Sequence, residues 1–205
     1  MNAYVPTVFV IDDDSAVLDA LGRLLRSYDL NVATFASPQQ FLDQLESCQH
    51  GCLVLDVEMP NLNGLELQQQ LAARGNELPV IFLTGHGDIP MSVQAMKHGA
   101  VDFLTKPVQA HDLIECVHDA LEKDRSNQQT RTDMDEIRQR MAKLTPRERE
   151  VLDHVVAGKL NKQIAADLGT VEKTIKVHRA HVMTKLKVRT VADLVRLTER
   201  AGKNI

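Results

Sequence analysis

Short apolar runs rich in Val, Ile, Leu and Phe recur through the first half of the chain, separated by longer segments with helical periodicity. The five runs cover 8–11, 32–35, 52–55, 80–83 and 101–104. This pattern predicts strands that alternate with amphipathic helices. Such alternation favours right-handed βαβ units and a parallel sheet. We therefore predict an α/β domain over 1–122, a doubly wound (βα)5 sheet with strand order 2-1-3-4-5.

Local signals mark where several of the helices begin. Ser37 followed by Pro38 is typical of an N-cap and a first helical residue. Gly64 follows the turn at 61–63 and is expected to open another helix. Asp14 directly precedes a helical segment, and we interpret it as the cap of that helix.

A polar segment without Gly or Pro covers 123–143. Within and just after it, Met134, Ile137, Met141 and Leu144 recur at helical spacing. We therefore predict a helical linker and not a flexible tether. This helix could align two protomers or serve only as a spacer, and the sequence leaves both alternatives open.

The last segment, 144–205, contains no strand signal. Thr145 is a predicted N-cap, Pro146 a first helical residue and Glu148 an acidic residue of the first turn. Turns at Gly158, at Gly169 and around 189 divide the segment into short helical periods. We predict a compact all-α domain of four short helices.

Charge divides the chain in the same way. The net charge is −12 over 1–124, +2 over 125–143 and +6 over 144–205. This asymmetry predicts two domains with different partners, the basic one being a candidate for binding nucleic acid.

The first residues contain three aspartates and no basic leader or long apolar run, so we expect a cytoplasmic protein with no membrane partner. Three cysteines without a CxxC motif are expected to be packed, reduced thiols.

Polar groups follow the apolar runs where strands of the first domain end. They are Asp12, Asp13, Asp56, Thr84 and Lys106. The carboxyl edge of a parallel sheet is where open α/β folds bind ligands. Three carboxylates form an oxygen-rich cluster suited to Mg²⁺, while a hydroxyl and an ammonium can neutralise phosphoryl oxygens. The set predicts a site that accepts a phosphoryl group on a carboxylate beside Mg²⁺ or Mn²⁺.

The segments VIDDD, LVLDVEMPNLNG, FLTGHGD and DFLTKP resemble the four signature segments of bacterial two-component receiver domains. The resemblance implies Asp56 as phosphoacceptor, Asp13 and Asp56 as metal ligands with Asp12 close by, and a further ligand from the Glu58 backbone carbonyl. It also implies Lys106 paired with the phosphoryl group, Thr84 and Phe103 as switch residues, and a cis Lys106–Pro107 peptide. In this family, positions 58 and 86 tune phosphate lifetime, although His86 could equally be a surface loop residue.

The segment from Leu144 to Val188 resembles the LuxR-type helix-turn-helix of transcription regulators. The resemblance places a scaffold helix at about 161–168 and a recognition helix from about Glu172. A helical wheel puts Val171, Ile175, His178, Val182 and Leu186 on the packed face. The predicted DNA-binding residues are Lys173, Thr174, Lys176, Val177, Ala180, Arg179, Lys162 and Lys185. Lys176 could donate to guanine and Val177 and Ala180 could contact thymine methyls, whereas Lys162 and Lys185 are phosphate candidates. For Arg179 a phosphate contact or an intradomain ion pair is favoured over base readout.

Another amphipathic stripe follows position 189. It consists of Val191, Leu194, Val195 and Thr198. In the LuxR-type family this stripe forms a dimer interface between DNA-binding domains, and core packing is the alternative. A two-fold dimer predicts operators with inverted half-sites.

These patterns together predict a response regulator of the FixJ/NarL type, similar to the FixJ subgroup in its TGHGDIPM segment. A sensor histidine kinase is expected to phosphorylate Asp56, after which the protein binds promoter DNA. Activation of transcription is the expected outcome, and RNA polymerase is a further candidate partner. A Mg²⁺-dependent phosphatase is the alternative from another class, but it needs an acid/base Asp at position 58, which is Glu. A DNA binder that needs no phosphorylation is the second alternative, against which the intact five-residue set argues.

Overall fold

The computed structural model describes residues 5–48, 50–85, 93 and 95–202. The chain divides into two compact units, Met1–Gln128 and Gln129–Ile205. The first contains a five-stranded parallel sheet, and the second is helical in its described part. In the part of the chain that the structure describes, no helix combines the length and the apolar character needed to cross a bilayer.

The sheet of the first unit has strand order β2-β1-β3-β4-β5. Its strands are β1 (Thr7–Ile11), β2 (Asn31–Phe35), β3 (Gly51–Asp56), β4 (Val80–Thr84) and β5 (Asp102–Thr105). Every pair of neighbours is parallel, with Val8 opposite Cys52 and Asp56 opposite Leu83. The predicted fold class and strand order are therefore confirmed. The central strand β3 is buried throughout, because both faces of the sheet are covered.

The helices of the first unit begin where their capping residues predict. They are α1 (Ser15–Arg26), α2 (Pro38–Asp43) and α3 (Gly64–Ala73), with a short 3-10 helix at Leu45–Ser47 and helical residues at 95–97. The side chain of Asp14 accepts a hydrogen bond from the Ala16 backbone, and that of Ser37 accepts one from Gln40. Two apolar clusters pack on opposite faces of the sheet, one of them including Phe41 and Phe82 and the other Leu25.

A single helix, α4 (Ala110–Ala142), contributes to both units. Leu113 and Val117 pack in the first core, and Ile137 packs in the second. At the end of the first unit, the buried carboxylate of Asp124 accepts a hydrogen bond of 2.9 Å from the backbone N–H of Gly51. The predicted linker segment is therefore helical, and it is continuous with the last helix of the first unit.

Up to residue 202, the second unit adds four helices to the end of α4. They are α5 (Pro146–Val156), α6 (Asn161–Asp167), α7 (Glu172–Leu186) and α8 (Val191–Gly202). Thr145 and Glu148 form a reciprocal capping box at the start of α5, as the sequence predicts. The turn between α6 and α7 contains Gly169, whose φ of +63° lies in the left-handed region that favours glycine.

Candidate functional site

Three carboxylates converge at the carboxyl edge of the sheet. Asp12 and Asp13 follow β1, and Asp56 is the last residue of β3, the strand beside it. One oxygen from each carboxylate lies within 4.8 Å of one from each of the others. Asp12 and Asp56 are buried, and Asp13 is exposed. Oxygen ligands at this spacing fit a hard divalent cation.

Lys106 brings a positive charge to the same edge from the loop after β5. Its ammonium lies 2.6 Å from Asp12 Oδ2 and 3.2 Å from Asp56 Oδ1. Burial lowers the pKa of Lys106, but the hydrogen bond to Asp12 and the charges of both aspartates outweigh burial, so its pKa is raised. The lysine is therefore held charged beside Asp56. The peptide bond between Lys106 and Pro107 is cis, as the resemblance implies.

Asp56 is only 6% exposed, which shapes its acidity. Burial raises the pKa of this carboxyl, and the neighbouring Asp12 raises it further. Lys106 and a hydrogen bond from the Glu58 backbone act in the opposite direction without cancelling the rise. A second positive charge at this site, such as a metal ion, would favour the ionised carboxylate that a nucleophile requires.

Thr84 and Phe103 lie on β4 and β5, the next two strands of the sheet after β3. Thr84 is the last residue of β4 and is fully buried, and its carbonyl oxygen accepts a hydrogen bond of 2.7 Å from the Lys106 backbone. Phe103 lies on β5 and is half-buried, with its ring centroid 6.2 Å from that of Phe82. Position 86 lies outside the described residues, so the sequence-based expectation for His86 stays a prediction.

The loop after Asp56 returns close to the site. The Gly64 backbone N–H donates to the Val57 carbonyl at 3.0 Å. A Cβ at position 64 would lie 2.4 Å from the carbonyl oxygen of Asp56, so only glycine fits there without a shift. The sequence predicts Gly64 as a helix start, but this contact has no sequence signal because it depends on the tertiary fold.

An apolar groove of about 650 Å³ lies next to Lys106. One wall comes from α1, through Val17, Leu21 and Leu24, and the other from Pro107 and Val108. The groove therefore places an apolar surface beside the lysine that bonds to Asp12 and Asp56. Sequence reasoning missed it because its walls are far apart along the chain.

In the second unit, α7 separates packed and exposed residues. Ile175, Val182 and Leu186 are buried, whereas Lys173, Lys176, Val177 and Ala180 are exposed. Thr174 is half-buried, and Lys162 is exposed on α6. The prediction for Val171 was wrong: it is 64% exposed because it is the N-cap residue of α7, outside the helical periodicity. His178 is half-buried on the packed side.

Two predicted DNA-binding residues form hydrogen bonds within the second unit. Arg179 donates to the Asn161 side chain at 2.8 Å, so its partner within the domain is a neutral amide and not the charged group of the expected ion pair. The Lys185 ammonium lies 2.6 Å from the buried carboxylate of Glu148 and also donates to the Lys143 carbonyl. No sequence pattern predicts the pairing of Lys185, because Glu148 lies 37 positions earlier.

The four residues of the predicted dimer stripe on α8 differ in exposure. Val191 is 37% exposed, whereas Leu194 is completely buried in the core of its own unit. Val195 and Thr198 are half-buried. Core packing, the alternative to an interface, therefore accounts for Leu194, and Val191 is the member most available to a partner.

A doubly wound sheet that carries clustered carboxylates and a lysine at its carboxyl edge is a receiver, and the helical unit contains a helix-turn-helix. The class is a regulator that couples a receiver to DNA binding.

Comparisons with known proteins agree with this class. Residues 8–118 match the response regulator receiver domain, and residues 142–198 match the bacterial regulatory proteins of the luxR family. The chain is 44% identical to response regulator protein TmoT of Ectopseudomonas mendocina over 98% of this chain and 91% of TmoT. It is 42% identical to transcriptional regulatory protein FixJ of Bradyrhizobium diazoefficiens, over 95% of both chains.

Solved structures give the same result. The response regulator StyR matches with a TM-score of 0.85 and 47% identity over 95% of this chain and 98% of that chain. Full-length FixJ from B. japonicum matches with a TM-score of 0.59 and 41% identity over 97% of this chain and 98% of that chain. The chain belongs to the response-regulator family and is a two-component transcription regulator with a LuxR-type DNA-binding domain. This family is regulatory, which confirms the predicted regulator over the phosphatase alternative.

Proposed function

We propose that a sensor histidine kinase phosphorylates Asp56 and that the phosphorylated protein binds promoter DNA through α7 and activates transcription. The observation that carries the proposal is the Lys106 ammonium, held between Asp12 and Asp56 at 2.6 and 3.2 Å. A fixed positive charge at that point stabilises the charge on phosphoryl oxygens attached to Asp56. Thr84 and Phe103 are the proposed switch residues that respond to the phosphoryl group.

The metal proposed for this site is Mg²⁺, or Mn²⁺ in its place. Asp13 and Asp56 are the proposed carboxylate ligands with Asp12 beside them, and the backbone carbonyl of Glu58 is a further ligand. The convergence of the three carboxylates supports this assignment. When bound, the metal would offset negative charge on the carboxylates and on the transferred phosphoryl group. The chain's own residues orient that group.

The apolar groove beside Lys106 supports the kinase as a partner, since it can receive a helical protein surface next to the phosphoacceptor.

The exposed face of α7 supports major-groove binding, with Lys176, Val177 and Ala180 directed to bases. Lys162 is the proposed phosphate contact, and Lys173 lies on the face of α7 proposed to enter the groove. Dimerisation on DNA through Val191 and its neighbours, and contact with RNA polymerase, complete the proposed partners. Binding to promoter DNA requires a cytoplasmic location.

For the domain bounds we propose 1–122 for the receiver, 123–143 for the helical linker and 144–205 for the DNA-binding domain. The two compact units support a division in this region. Asp124 and Ile137 pack in the first and second unit respectively, so both ends of the linker also contribute to folded cores.

Acetyl phosphate labelling tests the phosphoacceptor. With Mg²⁺, the wild type is expected to gain a phosphate that hydroxylamine removes, and Asp56→Asn is expected to gain none. Asp19→Asn, which changes an exposed carboxylate on α1 outside the site, serves as the matched control and should label like the wild type. Equal labelling of wild type and Asp56→Asn would show that the phosphoryl group resides elsewhere.

A further inference from the structure

The scaffold helix α6 is too short to fix its own direction. It has seven residues, of which Ile164 and Ala165 are buried, and its N-terminus is capped only from within the helix, where Gln163 Oε1 accepts a hydrogen bond of 2.8 Å from the Leu160 backbone. A helix of two turns gains little stability from its own hydrogen bonds. Contacts with neighbouring helices must therefore determine how α6 lies against the recognition helix α7.

An arginine from a neighbouring helix forms a hydrogen bond with each end of α6. At its N-terminal end, Arg179 Nη1 of α7 donates to Asn161 Oδ1 at 2.8 Å in a partly buried bond. At its C-terminal end, Arg147 Nη2 of α5 donates to the carbonyl of the C-cap residue Leu168 at 2.6 Å. The second bond satisfies a carbonyl that the helix leaves unpaired, and the guanidinium complements the negative end of the helix dipole.

These bonds lie where they control the geometry of the helix-turn-helix. Leu168 directly precedes the turn at 169–171, so Arg147 fixes the end of α6 from which the chain enters α7. Arg179 lies on α7 itself, one turn after the buried Ile175. The exposed lysines of the same surface differ, since Lys176 pairs with Glu172 only within its own helix.

We propose that Arg179, through Asn161, is a positioning residue that sets the angle between the scaffold and recognition helices, with Arg147 acting at the opposite end of α6. The guanidinium of Arg179 therefore positions α6 against α7 and does not bind a DNA phosphate. The inference rests on DNA recognition by α7. A guanidinium has five N–H donors, so one bond to Asn161 leaves others available, and the experiment must separate the two roles.

The test compares full-length variants on two duplexes, one selected from a random pool by the wild type and one of unrelated sequence, between about 50 and 200 mM salt. Arg179→Met is expected to lower affinity for the selected duplex at least tenfold, while its affinity for the unrelated duplex and its salt dependence stay at wild-type values. A lost phosphate contact would instead weaken both duplexes and reduce the slope of log affinity against log salt by about 0.9. That result would overturn the proposal.

Asn161→Ala supplies the second arm, because it removes the acceptor without changing the charge. It is expected to reproduce the loss of Arg179→Met, and the double variant is expected to lose no more than either single one. Additive losses, or wild-type discrimination in Asn161→Ala, would contradict the proposal. A partly unfolded variant loses affinity for both duplexes equally. The ratio of the affinities for the selected and the unrelated duplex therefore still tests the positioning role.

Lys162→Met, which removes an exposed lysine proposed to contact a phosphate, is the control: it is expected to lose affinity for both duplexes and to reduce the slope of log affinity against log salt. Its unchanged discrimination between the duplexes would contrast with Arg179→Met. If the wild type selects no sequence at all, the proposed DNA recognition fails. If it selects one and the ratio is unchanged in Arg179→Met, only the positioning inference fails.

Discussion

At the scale of single residues, the site depends on Lys106 as much as on the aspartates. Its ammonium bonds to Asp12 and Asp56 at the position where a divalent cation would also interact with these carboxylates. Two positive charges a few ångströms apart repel each other by roughly 1 kcal/mol even in water, and by more in a partly buried site. Lysine and metal therefore compete for the same negative charge.

Replacing Lys106 with Met is expected to tighten Mg²⁺ binding at least about fivefold, equivalent to about 1 kcal/mol. Titration calorimetry of the unphosphorylated protein measures this directly. Lys97→Met removes an exposed lysine elsewhere in the same unit and should leave the affinity unchanged. Weaker binding in Lys106→Met would mean that the ammonium organises the carboxylates more than it repels the metal.

Lys176 is the residue of α7 with the clearest predicted role in base readout. Its exposed ammonium pairs only with Glu172, one turn earlier, at 3.2 Å, and exposed pairs of this kind contribute little stability. Lys176→Ala should therefore fold normally and lose roughly 1–3 kcal/mol of specific DNA binding. Footprinting and anisotropy on a selected duplex measure the loss, with Lys97→Ala as control. An unchanged footprint would remove Lys176 from base readout.

At the scale of elements, α5 and α7 are joined by an ion pair at the start of α5. The carboxylate of Glu148 is buried, and it accepts hydrogen bonds from Lys185 and from the Thr145 backbone. The bond to Lys185 and the bond from Thr145 lower the pKa of Glu148 to about 2. The ionised form of Glu148 is therefore part of the folded structure.

Because the folded pKa of Glu148 is below its unfolded value, its contribution to stability is present above pH 4.5 and is lost as the pH falls toward 2. The second unit is expected to lose stability across that window. Glu148→Gln should weaken this pH dependence and destabilise the unit by about 2 kcal/mol at neutral pH, since Lys185 loses its charged partner. Chemical denaturation at several pH values provides the measurement. An identical pH profile in Glu148→Gln would assign the acid sensitivity to other groups.

The element scale also shows what the sequence could predict. The helix starts at Ser37 and Thr145 follow from short-range patterns, whereas the strand order follows from the preferred topology of doubly wound sheets. The clustering of Asp12, Asp56 and Lys106 was also predictable, because strand ends meet at one edge of a parallel sheet. The pairing of Lys185 with Glu148 and of Arg179 with Asn161 was not, since such contacts depend on how separate helices pack.

At the scale of the whole molecule, phosphorylation has to change an equilibrium between states of the protein. A phosphoryl group shifts that equilibrium only through contacts that differ between the states. Thr84 and Lys106 are the residues proposed to make those contacts. The helical linker and the exposed Val191 favour a change in self-association as the outcome.

Sedimentation with and without beryllofluoride, a phosphoryl mimic, tests that outcome. We expect the mimic with Mg²⁺ to shift the full chain from monomer to dimer, and Asp56→Asn to remain monomeric under the same conditions. Val191→Lys should weaken dimerisation of the activated protein if α8 contributes to the interface. A monomer at all concentrations with the mimic bound would favour release of an inhibited DNA-binding domain instead.

The three buried cysteines have a consequence for following the protein's motions. Cys48, Cys52 and Cys116 are unpaired, and all three lie in the first unit. Burial raises the pKa of Cys52, and burial with a hydrogen bond to Asp102 raises that of Cys116 to about 12, so little reactive thiolate forms in the closed state. Reaction with a thiol reagent therefore requires local opening, and its rate reports the free energy of opening. Because no cysteine follows position 116, the rate of thiol modification in the full-length chain reports on opening of the receiver alone.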